Sequence, residues 1–273
     1  MAKQDFQLLA FNRGLISELA LARVDLKRAA LSAEEMINWM PRALGSMMLR
    51  PGLGYIGATN SNADARCIAF VKKRNDTAIM EFTNAAMRIW VNDALITRPA
   101  VSSAVTNGDF DADVASWTDN DEAGGTSAWV TGGYMGLTGN GTAAAIRDQT
   151  VTVAAGDQNV EHALRIVIQR GPVTLRVGST SGGDEYITEA ALNTGTHSLS
   201  FTPTGANVYV RFMSRLSRIV LVSSCNVEGA GVMSVTSPYL TADLDAIRAG
   251  PESQSADVVY VACDGYQQRR IER

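Results

Sequence analysis

Three carboxylates alternate along one short stretch near the middle of the sequence. Asp109, Asp111 and Asp113 occupy every second position there. Calcium prefers hard oxygen ligands, and carboxylates at this spacing are able to share one ion. A solvated acidic loop produces the same pattern without any ion. We therefore predict that the protein needs no cofactor, with one structural calcium ion on these aspartates as the alternative.

Acidic residues are also the catalytic groups of most glycoside hydrolases, in which two carboxylates meet only in the folded protein. The candidates are the three aspartates above and three acidic residues that follow them, Asp119, Asp121 and Glu122. Neither His162 nor His197 stands beside an acid in a motif that would activate a nucleophile. We predict that the protein is not an enzyme, and a hydrolase of cell-envelope glycans is the further alternative.

Two aromatic residues flank a glycine pair and are our candidates for binding a glycan. Trp129 and Tyr134 lie on either side of Gly132-Gly133. Sugars bind to exposed aromatic faces, on which pyranose C–H groups stack while polar neighbours fix the hydroxyls. Trp117 lies just after the first strand of this region and is predicted to be core. The alternative is that all of these rings pack inside the domain.

Composition excludes several other classes of protein. The chain has 273 residues, of which 46% are apolar and 19% charged, and this is typical of a globular protein. A net charge of −4 supplies no basic field for holding nucleic acid. No apolar run approaches the ~20 residues that span a bilayer, and the N-terminus has no secretory signal. We expect a protein made in a cytoplasm, with no membrane insertion and with reduced cysteines.

The middle of the chain alternates between apolar and polar residues, with turn residues every ~8–12 positions, which is typical of a β-sandwich. The predicted strands are Trp129–Val130, Ala144–Val153, His162–Gln169, Val173–Val177, Thr196–Phe201, Val208–Met213 and Arg218–Val222. Because the residues on either side have a different character, we predict an inserted β-sandwich at 105–229. The host domain is then discontinuous, comprising 1–104 and 230–273.

The host domain is predicted to be α+β, so that the whole chain is mainly β. Ser32 and Glu35 have the spacing of a capping box, which predicts a helix that carries Met36, Ile37 and Met40 and ends at Pro41. An earlier helix is predicted over Val24–Ala30. A three-strand meander follows at Ala65–Val71, Thr77–Phe82 and Met87–Val91, and after the insert Thr241 is predicted to cap a short helix that carries Leu244 and Ile247.

The insert resembles the jelly-roll carbohydrate-binding modules, also described as galactose-binding-like. The resemblance rests on Asn107-Gly108-Asp109-Phe110, on Trp117 and on the closing apolar run Arg218–Val222. It implies a jelly roll, glycan binding, and a structural calcium near the first and last strands. The last strand begins Ser217-Arg218, where the family commonly has an acidic residue, and this departure counts against the calcium ion.

The flanks resemble the tail tubular or nozzle proteins of short-tailed bacteriophages. The matching stretches are Gly14-Leu15-Ile16-Ser17, Arg23-Val24-Asp25, Asn38-Trp39-Met40-Pro41, Arg50-Pro51-Gly52, Ser237–Leu244 and Gln254–Tyr260. The resemblance implies a structural protein of the virion tail that forms a ring, expected to be sixfold. Its implied partners are further copies of itself, the portal or adaptor, tail fibre or spike proteins, and DNA in transit during ejection.

A second function is compatible with the same two resemblances. The protein would then be a tail-hub or fibre-attachment protein whose insert binds polysaccharide on the host surface.

Nozzle-type proteins usually continue into more β structure beyond the point at which this sequence ends. We therefore expect either a piece of a longer protein or a short relative.

Overall fold

The computed structural model describes residues 13–20, 25, 31–249 and 253–272. Contacts divide the chain into two compact units, Met1–Ile56 and Gly57–Arg273. Across the described residues the protein is mainly β, with several antiparallel sheets and three short 3-10 helices at Glu18–Ala20, Asn60–Asn62 and Thr241–Ala246. None of these helices is long and apolar enough to cross a membrane.

The described part of the first unit contains a single β-hairpin. Strand Trp39–Pro41 pairs with Met47–Leu49, and the Arg50 N–H extends the pairing by donating to the Asn38 carbonyl. The helix predicted to carry Met36, Ile37 and Met40 is therefore wrong. A helix of so few residues does not recover its nucleation cost, and strand pairing satisfies the backbone instead. The helix predicted at Val24–Ala30 falls almost wholly outside the described residues.

The second unit contains a β-sandwich of two five-stranded antiparallel sheets. Sheet I has the spatial order Gly195–Phe201, His162–Arg170, Val220–Val227, Tyr134–Thr138 and Thr126–Val130. Sheet II has the order Ile187–Leu192, Val173–Gly178, Asn207–Ser214, Ala145–Thr152 and Thr118–Asp119. The predicted sandwich strands are present with shifted ends. Sequence reasoning missed Tyr134–Thr138, which contains a glycine, and Ile187–Leu192, which is largely polar or small.

The sandwich core is built from the inward side chains of both sheets. Val208, Val210 and Phe212 point inward from one strand, since alternate residues share a face. Trp117 is buried as predicted, with its ring centroid 5.7 Å from that of Phe110 and 5.5 Å from that of Phe212. Gly108 packs so close to the last strand that an added Cβ would lie 2.1 Å from the Cys225 carbonyl oxygen.

The flanking segments of the second unit form further antiparallel sheets. The flank sheet has the order Ser234–Thr236, Ala86–Val91, Asp76–Thr83 and Arg66–Lys73, with Ala94–Leu95 paired to the second of these strands. A three-stranded sheet comprises Gln254–Ser255, Val258–Val261 and Arg269–Glu272. The predicted meander is thus confirmed. The turn after its third strand, at Asn92-Asp93, has φ values of 50° and 63°, as a tight hairpin turn requires.

The short helix after the insert is a 3-10 helix over Thr241–Ala246, and its N-cap is Leu240. Thr241 is therefore inside the helix, and the prediction that it caps the helix is wrong. The Asp243 carboxylate instead accepts the Leu240 N–H at 2.9 Å and the Tyr266 hydroxyl at 2.6 Å. These two bonds lower the pKa of Asp243. Leu244 and Ile247 are buried in the flank core.

The two ends of the sandwich lie side by side. Strand Thr97–Arg98 enters it, strand Gly231–Val232 leaves it, and these strands pair with each other in the register Arg98 with Gly231. Such adjacency is what an inserted domain requires. Residues 57–104 and 230–273 nevertheless share one compact unit with the sandwich, so the boundaries at residues 105 and 229 stay a prediction.

Candidate functional site

The three alternating aspartates have separate surroundings. One carboxylate oxygen of Asp113 accepts the Asn107 side-chain amide at 2.7 Å and the Ala115 N–H at 2.8 Å. Asp109 accepts the Asn226 side-chain amide at 2.6 Å, and Asp111 is exposed. Among the described residues, no three His, Cys, Asp or Glu side chains are grouped so that they could hold a metal ion. Calcium at these aspartates stays a prediction.

The next acidic residues hold a loop against sheet II. Asp121 accepts the Ile146 N–H at 2.5 Å and the Ser127 hydroxyl at 2.9 Å, while Glu122 accepts the Ala144 N–H at 2.7 Å. The Asp119 carboxylate lies 3.1 Å from the Arg147 guanidinium. Carboxylates bonded in this way hold backbone and side chains in place, and this is a structural use of the residues that the sequence offered as catalytic candidates.

A serine and a histidine meet in a way that the sequence did not reveal. His162 Nε2 lies 3.0 Å from the Ser103 hydroxyl, and Nδ1 lies 2.9 Å from the Val160 carbonyl oxygen. Both side chains are buried. His197 lies elsewhere, with Nε2 2.8 Å from the Asn193 carbonyl oxygen. The contact joins the loop that contains Ser103 to sheet I, on which His162 lies.

The two aromatic glycan candidates lie on one hairpin but on opposite faces of it. Trp129 is paired with Met135, and both side chains point toward the core. The Trp129 indole N–H donates to the Phe110 carbonyl at 2.7 Å. Tyr134 is paired with Val130 and therefore stands on the outer face, with its ring against Gly132. The two rings do not form a shared stacking platform in this register, and glycan contact by either ring stays a prediction.

The outer face of sheet II carries a row of paired charges. The Arg211 guanidinium donates to both oxygens of Asp148, at 2.7 and 2.6 Å, and Arg176 pairs with Glu189. The Ser181 hydroxyl donates to Asp148 at 2.8 Å, and Arg176 donates to the Gly182 carbonyl at 3.2 Å. The hydrogen bonds that Arg211 donates to Asp148 raise the pKa of Arg211. The loop around Ser181 therefore covers the middle of this face.

A second charged cluster joins the sandwich to the flanks. The carboxylate of Glu228 accepts Arg98 Nε at 2.8 Å and Arg165 Nε at 2.7 Å. Arg98 also donates to Glu161 at 2.7 Å and to the Ser198 hydroxyl at 3.0 Å. Burial raises the pKa of Glu228, but the bonds from Arg98, Ser198 and Arg165 outweigh it, so its pKa is lowered. This cluster lines a depression at the junction.

The N-terminal hairpin and the segment after it expose most of their large apolar side chains. In 31–56 these are Ile37, Trp39, Met40, Leu44, Leu49, Leu53, Tyr55 and Ile56. Leu44 is 98% exposed, Leu53 90% and Tyr55 84%. No large apolar side chain of 31–56 is buried. Exposed apolar surface on this scale is typical of a site that contacts another protein.

Comparisons with known proteins identify no family for this chain. No protein-family model matches the sequence. No curated protein matches it either. A solved structure described as "CBM4 structure and function" is similar at 11% identity, over 46% of this chain and 99% of that chain, with a TM-score of 0.30. This is a weak likeness to a carbohydrate-binding module, too low in score to establish a shared fold.

Proposed function

We propose that this protein is a non-catalytic structural subunit of a bacteriophage virion tail, in the ring that forms the nozzle or tube for DNA ejection. The resemblance of the flanks to nozzle-type proteins supports the proposal. The observation that carries it is the apolar surface of 31–56, where eight large apolar side chains are exposed and none is buried. A subunit of an assembly has such a surface because other subunits cover it.

The hairpin in this region supports the same proposal. Trp39, Leu49 and Met47 lie on one face of the hairpin, and Met40 and Met48 lie on the other. A hairpin that is apolar on both faces has no solvent-facing side, and an isolated two-stranded hairpin is marginally stable at best in water. The expected covering partners are other copies of this chain, with portal or adaptor and fibre or spike proteins at the ends of the ring.

The way in which the sandwich is attached also suits a ring subunit. Its ends leave the flanks through adjacent paired strands, and Glu228 pairs with Arg98 across the junction and with Arg165 within the sandwich. A module held in this way projects from the flanks in a fixed direction. We propose that it decorates the outside of the ring while the flanks build the channel.

Isolated chains are expected to be monomeric or only weakly associated in solution. Ring subunits use head-to-tail contacts that close by rotation, and a tail template supplies the neighbours that stabilise them. Sedimentation velocity over a range of concentrations tests this expectation. A stable twofold dimer with a large buried interface would contradict the proposal, because an isologous contact uses up the surface that a ring needs.

Glycan binding by the sandwich is our second candidate, favoured by the half-buried Tyr134 on the outer face of the outermost hairpin of sheet I. One stacked ring contributes roughly 0.5–1.5 kcal/mol beyond area burial, so a single site is weak. A ring of subunits raises such binding by ~10²–10⁴ through avidity. The function would be attachment to host surface polysaccharide.

Chains immobilised densely on beads are expected to retain host polysaccharide, and Tyr134→Ala is expected to abolish the retention. Tyr209→Ala is the matched control, since Tyr209 is a half-buried tyrosine on sheet II. Trp129→Ala is measured beside them with a folding readout, because it also removes the bond to Phe110. Equal retention by wild type and Tyr134→Ala would leave the sandwich as a decoration only.

A further inference from the structure

The flank sheet ends in an open edge. Its outermost strand, Arg66–Lys73, pairs only with Asp76–Thr83 among the strands of the described residues. The backbone groups of Val71 point away from the paired strand and are bonded by Gln254. Its side-chain amide accepts the Val71 N–H at 3.0 Å and donates to the Val71 carbonyl at 2.6 Å. Cys67 and Ala69 direct their backbone groups the same way, since the direction alternates along a strand. Open edges of this kind are templates for another strand.

Apolar side chains accompany this edge on the outer face of the sheet. Ala69, Val71 and Ile79 are exposed there, with Val71 at 50% and Ile79 at 45%. Cys67 lies on the same face and is the one exposed cysteine, because Cys225 and Cys263 are buried. We call Cys67, Ala69, Val71 and Ile79 the edge patch. A soluble monomer gains nothing from an open strand edge beside exposed apolar side chains.

The part of this outer face at Glu81, Arg88 and Trp90 is covered by the chain's own residues 57–60. Gly57 lies against the Trp90 ring, and the Ala58 carbonyl accepts Arg88 Nη2 at 3.1 Å. The Asn60 N–H donates to Glu81 at 2.9 Å. Trp90 is the direct cross-strand partner of Ile79 in the edge patch. The covered half of the face therefore adjoins the uncovered half.

The hairpin in the N-terminal unit has the features that a partner strand for the edge patch needs. Residues 36–56, which we call the arm, have apolar side chains on both faces of the hairpin and two strands whose outer edges are unpaired among the described residues. Apolar side chains and an unpaired strand edge are thus present on both the arm and the edge patch.

We infer that the arm of one copy adds a strand to the edge patch of the next copy. This inference rests on the proposed ring function and names the contact that builds the ring. Main-chain hydrogen bonds to Cys67 and Ala69 supply affinity, and the apolar residues of the arm pack on Val71 and Ile79. Donor and acceptor surfaces differ and lie on the same chain. The contact is therefore head-to-tail, and it closes into a ring when the rotation allows.

Cysteine crosslinking of the full-length chain tests this contact. Leu49→Cys places one thiol on the arm, and native Cys67 is the other, so a short bismaleimide joins them wherever arm and edge patch meet. We expect a ladder of covalent dimers, trimers and larger species at high protein concentration. The yield is expected to exceed that of Leu216→Cys, an exposed site on the sandwich, by at least about tenfold because contact raises the local concentration.

Two further variants make the result decisive. Leu49→Cys with Cys67→Ser is expected to lose the ladder, and Leu49→Cys with Ile79→Lys is expected to lose it while circular dichroism and melting remain unchanged. Internal crosslinks within monomers, or no crosslinks at all, would overturn the inference. Those results would leave the ring function itself standing if sedimentation still shows weak association without a twofold dimer.

Discussion

Glu81→Ala is expected to lower the free energy of unfolding by about 3–5 kcal/mol, the range for removing one partner of a buried ion pair. Glu81 is 1% exposed and accepts three hydrogen bonds from Arg88, at 2.8 to 3.2 Å. It also accepts the Trp90 indole N–H at 2.7 Å and the Asn60 N–H at 2.9 Å. Truncation leaves Arg88 buried without its carboxylate, and urea denaturation measures the loss.

An exposed ion pair gives the matched control for this prediction. Glu189→Ala removes the partner of Arg176 on the surface of sheet II, and exposed pairs are worth roughly 0–1 kcal/mol. The double variant Glu81→Ala/Arg88→Met is expected to be more stable than Glu81→Ala alone, because no unpaired charge remains. A cost for Glu81→Ala no larger than that for Glu189→Ala would show that the pair does not hold residues 57–60 on the sheet.

Replacing residues 105–229 by a short Gly/Ser linker is expected to leave the flanks folded and able to unfold cooperatively. The linker joins two strands that already pair, Thr97–Arg98 with Gly231–Val232, so closing it costs little chain entropy. The flank core, which includes Phe70, Met80 and Tyr239, contains no residue of the sandwich. Circular dichroism with thermal melting measures the outcome.

The deletion also removes the charged partners that Arg98 has in the sandwich. Glu228 and Glu161 are lost together, so Arg98 becomes solvated rather than buried without a carboxylate. The expected penalty is therefore small. A broad, non-cooperative melt of the deletion variant would mean that the sandwich is an integral part of the fold and that the domain boundaries are wrong.

Local sequence patterns predicted those parts of the fold that depend on neighbouring residues. The alternation of apolar and polar residues along Val208–Met213 predicted a strand with an inward face, and Asn92-Asp93 predicted a tight turn. Both features are encoded within a few positions of the sequence. The pairing of Glu81 with Arg88 also had a local signal. The two are opposite charges placed across a predicted hairpin, on the face away from Met80 and Phe82.

Other features depended on contacts between distant segments or on the length of one loop. The hairpin at Trp39–Pro41 replaced the predicted helix because Met47–Leu49 was available to pair with it. Ser103 reaches His162 only through the fold. Trp129 and Tyr134 were expected to act together, yet the three-residue turn between Val130 and Tyr134 pairs those two residues, and a shift of one residue reverses the face.

We propose that this chain is a ring subunit whose arm is covered by its neighbours. Electron cryo-microscopy of the virion tail into which we propose that it assembles is the most direct test. We expect a closed ring around the channel axis, with the sandwich outside and Trp39, Leu49 and Leu53 buried against the next subunit. A tail without this chain, or a ring in which residues 36–56 remain exposed to solvent, would contradict it.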